Sequence, residues 1–96
     1  MKNWFVSFDV SEGRYESHTV GGGVYGPYEQ HEAEEISTKL KGWLDSLGLR
    51  KLPGRYVSHG VSVYQIDAPT FREIASQLND GAICNLLGEP VAIPPD

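Results

Sequence analysis

Hydrophobic and polar residues alternate at the start of the chain. Every second residue from Trp4 to Val10 is large and apolar, whereas Ser7 and Asp9 lie between them. This period of two predicts a β-strand with one strongly apolar face, ended by the turn-like residues 11–14. Residues 15–20 predict a second, weaker strand because most of them are polar. The glycine-rich segment 21–27 is expected to break regular structure as a flexible hairpin or bulge.

The clearest pattern in the chain predicts a helix from Glu29 to Leu47. Its apolar residues recur at spacings of three and four and form one stripe: Ala33, Ile36, Leu40, Trp43, Leu44 and Leu47. Glutamates crowd its first turns and lysines come later, in the order that complements the helix dipole. Gly48 follows where a C-terminal cap is expected.

The second half of the chain predicts shorter elements. Residues 56–66 are rich in β-formers and are either one long strand or a hairpin turning near His59 and Gly60. A capping box, Thr70 to Glu73, starts a short helix that reaches Leu78. Residues 82–87 are expected to be a last core strand, and residues 90–93 an edge strand.

This order of elements predicts an α+β fold in a single domain, residues 1–96. Two helices would cover one face of a mainly antiparallel sheet, which makes a two-layer sandwich. The best-fitting topology is a ferredoxin-like βαββαβ arrangement with a hairpin or loop insertion after the first strand.

Net charge, cysteine content and apolar runs limit the classes of protein to which the chain can belong. The 96 residues carry a net charge of −5, which argues against indiscriminate polyanion binding and disfavours nucleic acid as a partner. The charge is uneven, because residues 36–55 hold five basic residues and one acidic residue, a net +4. The single Cys84 excludes an internal disulfide and favours a reducing compartment. With a polar start and no long apolar run, we expect a cytoplasmic protein that does not contact a membrane.

Motifs for cofactors are weak. Residues 21–26 match G-x-G-x-x-G before a helix, which leaves a small-ligand binding module as one hypothesis. The glutamates of that helix start would repel a phosphate, however. His18, His31 and His59 lack metal-ligand spacing, and Cys84 has no C-x-x-C partner. We therefore expect no cofactor and no resident metal.

Asp9 points away from the apolar stripe at the predicted end of the first strand, and it is either a turn residue or a functional carboxylate. This strand, the helix end 44–50, the segment 57–66 and residues 70–74 together resemble a known group. The group comprises the small ferredoxin-fold subunit of the CRISPR spacer-integration complex and virulence-associated protein D-like proteins. The resemblance implies a homodimer in which Asp9 acts as the catalytic residue of a metal-dependent endoribonuclease that uses Mg²⁺ or Mn²⁺.

The favoured hypothesis is a small soluble interaction protein without catalytic activity. It would bind another macromolecule, in the first place a protein, as an inhibitor, an antitoxin or a phage or mobile-element accessory protein does. Two tyrosines in the glycine-rich segment give contact area with a polar tip, and charged residues surround the helix. The candidate contact residues are Tyr25, Tyr28, Glu29, Glu32, Arg50, Lys51 and Arg55.

Overall fold

The computed structural model describes residues 2–65 together with Ile83, Leu86 and Leu87. These residues form an α+β arrangement of three strands and one long helix. In chain order the elements are β1 (Trp4–Glu12), β2 (His18–Tyr28), α1 (Gln30–Ser46), a 3-10 helix (Leu49–Lys51) and β3 (Val57–Gln65).

The strands form one antiparallel sheet in the order β2-β1-β3. Since β2 and β3 are both antiparallel to the central β1, they run parallel to each other, and α1 connects them. The helix therefore closes a split β-α-β unit that starts at β2, with β1 lying between its two strands. The predicted α+β class and antiparallel sheet are confirmed, whereas the described residues do not confirm the two-helix ferredoxin topology.

The core lies between one face of β1 and the apolar stripe of α1. Val6, Phe8 and Val10 are almost completely buried there, as the alternation predicts. Phe8 packs edge-on against Trp43 of α1, with ring centroids 5.5 Å apart and planes at 89°. This contact helps to hold the apolar stripe of α1 against β1, so the two sides of the helix beside that stripe face away from the core.

The glycine-rich segment is a strand, so the predicted flexible loop is wrong. Residues 21–25 pair with β1, and the register shifts twice along the ladder, between Trp4 and Val6 and between Val10 and Ser11. Glycine is a poor strand former because it loses more backbone entropy on folding than other residues. The central strand overrides that preference by pairing with residues 21–25 without interruption.

The helix begins and ends within one residue of the prediction. Glu29 is the N-cap and forms a capping box with Glu32, whose carboxylate accepts the Glu29 backbone N–H at 3.1 Å. Leu47 is the C-cap, and Gly48 follows in the left-handed conformation at φ +64°.

Two later predictions have a clear outcome. Residues 57–65 are one strand, because His59 and Gly60 pair directly with Val10 and Asp9 of β1. The predicted core strand 82–87 is wrong at its described positions, since Ile83, Leu86 and Leu87 are helical.

Ile83 and Leu86 belong to the same buried cluster as the α1 stripe, and a spacing of three places both on one side of a helix. A short apolar run such as 82–87 fits either element by pattern alone. The predicted helix 70–78, the edge strand 90–93 and Cys84 lie outside the described residues.

Candidate functional site

Four side chains, one from each of four successive segments of the chain, gather at β3. Lys41 comes from the C-terminal half of α1, Arg50 from the 3-10 helix, Arg55 from the following turn and His59 from β3. They line two neighbouring concavities. We refer to these four residues as the basic edge.

The first concavity has a volume of about 240 Å³ and lies between α1 and β3. Lys41 and Asp45 are one helical turn apart on α1, so both line its helix side. His59 shares the face of Val10 in the β1–β3 ladder and is directed toward α1. The His59 Nε2 atom lies 4.0 Å from an Asp45 carboxylate oxygen.

His59 is kept neutral by its surroundings. Its side chain is only 7% exposed, and this burial, with the adjacent positive charge of Arg50, lowers the pKa of His59 below the ordinary value of 6.5. Asp45 and Asp9 oppose the shift without reversing it. A neutral imidazole offers the concavity one hydrogen-bond donor and one acceptor.

Arg50 joins the two concavities because it lines both. One of its terminal nitrogens donates a hydrogen bond to the backbone carbonyl of His59 at 3.1 Å. That bond positions the guanidinium beside β3. A guanidinium has five N–H groups in a fixed fork, and the described residues accept only this one bond from it, so further donors face the concavities.

The second concavity has a volume of about 320 Å³ and reaches the turn between β1 and β2. Arg55 lies beside it and donates to Glu12 at 3.3 Å, at the end of β1. Both side chains are partly exposed, so this ion pair contributes little to stability. The Gly13 N–H donates to the Tyr56 carbonyl at 2.9 Å and ties the turn to the start of β3.

Aromatic side chains extend the surface beyond this concavity. The guanidinium carbon of Arg14 lies 5.3 Å from the ring centroid of Tyr15 and 5.2 Å from that of Tyr56, which is the range of cation–π contact. Both rings remain open to solvent, with Tyr15 88% exposed and Tyr56 52% exposed.

The structure brings some of the predicted contact residues together and separates others. Arg50 and Arg55 meet at the second concavity, and Lys51 is exposed on the same 3-10 helix as Arg50. The acidic pair, Glu29 and Glu32, lies at the opposite end of α1 and forms the capping box. Its contact with a partner stays a prediction, while its structural role is explicit.

Tyr25 and Tyr28 lie on β2 and not in a flexible loop, which corrects the setting in which they were predicted. Both are half-buried against the core. The Tyr25 ring stacks on Phe8 at a centroid distance of 6.3 Å. Substituting either tyrosine with alanine would remove core packing, so it is not a clean test of partner binding.

Asp9 lies in the middle of β1 and not at its end, because the strand continues to Glu12. It is exposed, on the sheet face opposite the core, and accepts a long hydrogen bond of 3.5 Å from the Ser11 hydroxyl. Within residues 2–65 and the three described leucine and isoleucine positions, no three His, Cys, Asp or Glu side chains come together as metal ligands. Its role in a nuclease stays a prediction.

Sequence patterns missed two members of the basic edge and the aromatic pair beside it. The sequence leaves His59 either within a strand or at a hairpin turn, and only as part of a single strand does it share the face of Val57 and Val61, two residues to either side. Lys41 was visible only as part of a basic stretch. Tyr15 and Tyr56 are 41 positions apart and meet through Arg14 only because β1 and β3 are neighbours.

Comparisons with protein-family models, with curated proteins and with solved structures found no match to this chain. The function proposed below therefore depends on the geometry of the basic edge.

No helix among the described residues combines the length and the apolar character needed to cross a bilayer.

Proposed function

We propose that the protein is a small, non-catalytic binding protein that recognises an anionic group on another macromolecule through the basic edge. The observation that carries the proposal is the position of Arg50 between two concavities. In the first it is joined by Lys41 and His59, and in the second by Arg55. Arginine and lysine together suit phosphate or carboxylate groups, because one supplies a planar fork of donors and the other a point charge.

The negative net charge does not cancel this local positive charge. Glu29 and Glu32 lie roughly 14 to 18 Å from Lys41 along the axis of α1, at 1.5 Å per residue. That distance is about two Debye lengths at physiological salt, where exposed charges are largely screened from each other. Among the described residues, Glu12 pairs with Arg55 and Asp45 lies close to the neutral His59, so the positive charges of Lys41, Arg50 and Arg55 exceed these two carboxylates by one.

Retention on a heparin column tests whether the basic edge binds anions. Arg50→Glu and Arg55→Glu should each elute from heparin-agarose at a clearly lower salt concentration than the wild type. Both side chains are exposed, so the fold should persist, and circular dichroism would verify this.

Lys39→Glu is the matched control. It makes the same charge change on α1, but Lys39 and Lys41 lie on opposite flanks of the helix, each about 100° from the buried Leu40. Lys39→Glu should elute close to the wild type. Equal loss of retention in Lys39→Glu and Arg50→Glu would mean that only net charge matters and would refute the site.

A further inference from the structure

We propose that the anionic partner is a single-stranded nucleic acid, whose phosphates contact the basic edge while its bases stack on both Tyr15 and Tyr56. This inference rests on the proposed function and names the class of partner. It comes from the aromatic side chains that extend the second concavity, which anion binding alone does not require.

The aromatic and basic groups form one continuous surface. Tyr56 lines the second concavity together with Arg50 and Arg55. Tyr15 reaches the same place through Arg14, which contacts both rings. From Tyr56 to the carbonyl of His59 that holds Arg50 is three residues of extended chain, about 10 Å. Stacking and phosphate contacts are therefore available within a short distance.

Proteins that bind single-stranded nucleic acids combine exposed aromatic rings with arginines. Each base presents a flat π-face to a tyrosine or guanidinium, and the backbone follows a positively charged groove. Tyr15 is 88% exposed, so most of its ring is available for stacking even with Arg14 nearby.

Other anionic partners fit this surface less completely. An acidic peptide can occupy the basic edge, but its negatively charged carboxylates are repelled by the electron-rich faces of the Tyr15 and Tyr56 rings and do not stack on them. A duplex keeps its bases stacked inside and exposes mainly phosphates. The aromatic pair therefore favours an unpaired strand.

Fluorescence anisotropy with four labelled probes tests the proposal: a 12-nucleotide oligouridylate, a 12-nucleotide oligothymidylate, a 12-base-pair duplex and a poly-glutamate peptide. The two single strands should bind most tightly. Tyr15→Ala should weaken their binding roughly 5- to 150-fold, the range that corresponds to a base-stacking contribution of about 1–3 kcal/mol. Tyr15→Phe should restore most of the affinity, because it keeps the ring.

The outcomes separate this inference from the function on which it rests. If poly-glutamate or the duplex binds as tightly as the single strands, or if Tyr15→Ala binds like the wild type, the nucleic-acid proposal is wrong. An Arg50-dependent retention on heparin would still support the basic edge in that case. If Arg50→Glu and Lys39→Glu weaken every probe equally, both proposals fail.

Discussion

At the level of single residues, Arg50 and His59 interact through a hydrogen bond and through charge. Arg50 donates to the His59 carbonyl, and its charge also disfavours protonation of the His59 ring. The ring is buried between α1 and β3, and the nearby carboxylates of Asp45 and Asp9 compensate a proton on it only in part. Protonation of His59 therefore opposes the native packing of the first concavity.

We expect the stability of the protein to depend on pH through His59. Because the pKa of His59 is lower in the folded protein than its ordinary 6.5, the unfolded chain takes up a proton first as the pH falls. The contribution of His59 to stability is thus fully present above pH 6.5. It is lost progressively as the pH falls from there toward the folded pKa.

Urea unfolding at pH 7.5 and pH 5.5 checks this expectation. The unfolding free energy of the wild type should fall by more between the two pH values than that of His59→Gln, which has no imidazole to protonate. The remaining titratable groups, the carboxylates and the other two histidines, are present in both proteins, so their contributions cancel in the comparison. The same fall in both proteins would contradict the neutral, buried state of His59.

At the level of elements, local signals were sufficient for α1 but not for β2. The capping residues and the stripe of α1 are adjacent in sequence, so the pattern contains everything that defines the helix. The glycines of β2 have no such signal, because their strand conformation depends on pairing with β1 across a turn. The basic edge could be predicted only in part. The local charge of the sequence indicated Arg50 and Arg55, whereas His59 joins them only through the register of β3 on β1.

Replacing a glycine by alanine should change the unfolding free energy in opposite directions in β2 and in α1. Gly26 of β2 has φ +132°, and a Cβ there would lie 2.9 Å from the Trp4 carbonyl oxygen and 2.9 Å from the Phe5 ring. Gly26→Ala should lower the unfolding free energy by about 1–3 kcal/mol or more, from backbone strain and this overlap.

Gly42 of α1 is exposed, and a Cβ there would meet nothing within 4 Å. Gly42→Ala should therefore raise the unfolding free energy by about 0.5–1 kcal/mol. Thermal or urea unfolding of the two variants would reveal the opposite signs. A destabilised Gly42→Ala, or a neutral Gly26→Ala, would contradict the conformations of α1 and β2.

At the level of the whole molecule, the core connects distant parts of the chain. Ile83 is 1% exposed and packs in the same cluster as Leu40 of α1 and Val10 of β1. The folded unit therefore extends past β3 to this later helical position. The sequence anticipated that Ile83 and Leu86 enter the core but not that they are helical there.

Removing a side chain from either end of this cluster should destabilise the protein as a whole. Ile83→Ala and Leu40→Ala are each expected to lower the unfolding free energy by about 2–5 kcal/mol, through lost burial and the cavity left behind. Thr38→Ala, on the exposed side of α1, should change it by no more than about 0.5 kcal/mol. Urea unfolding followed by tryptophan fluorescence measures all three, and an unaffected Ile83→Ala would exclude Ile83 from the cooperative core.

Within the described residues, the glutamates at the start of α1 and the basic edge near its other end separate negative from positive charge. In the field of a polyanion, the protein experiences a torque that turns the basic edge toward the partner before contact. The association rate constant should then depend on the distant glutamates as well as on Arg50, and it should fall as ionic strength rises. The lifetime of the complex depends instead on the short-range contacts at the basic edge. If the basic edge binds a polyanion as proposed, we therefore expect the acidic start of α1 to contribute to recognition through orientation, without touching the partner.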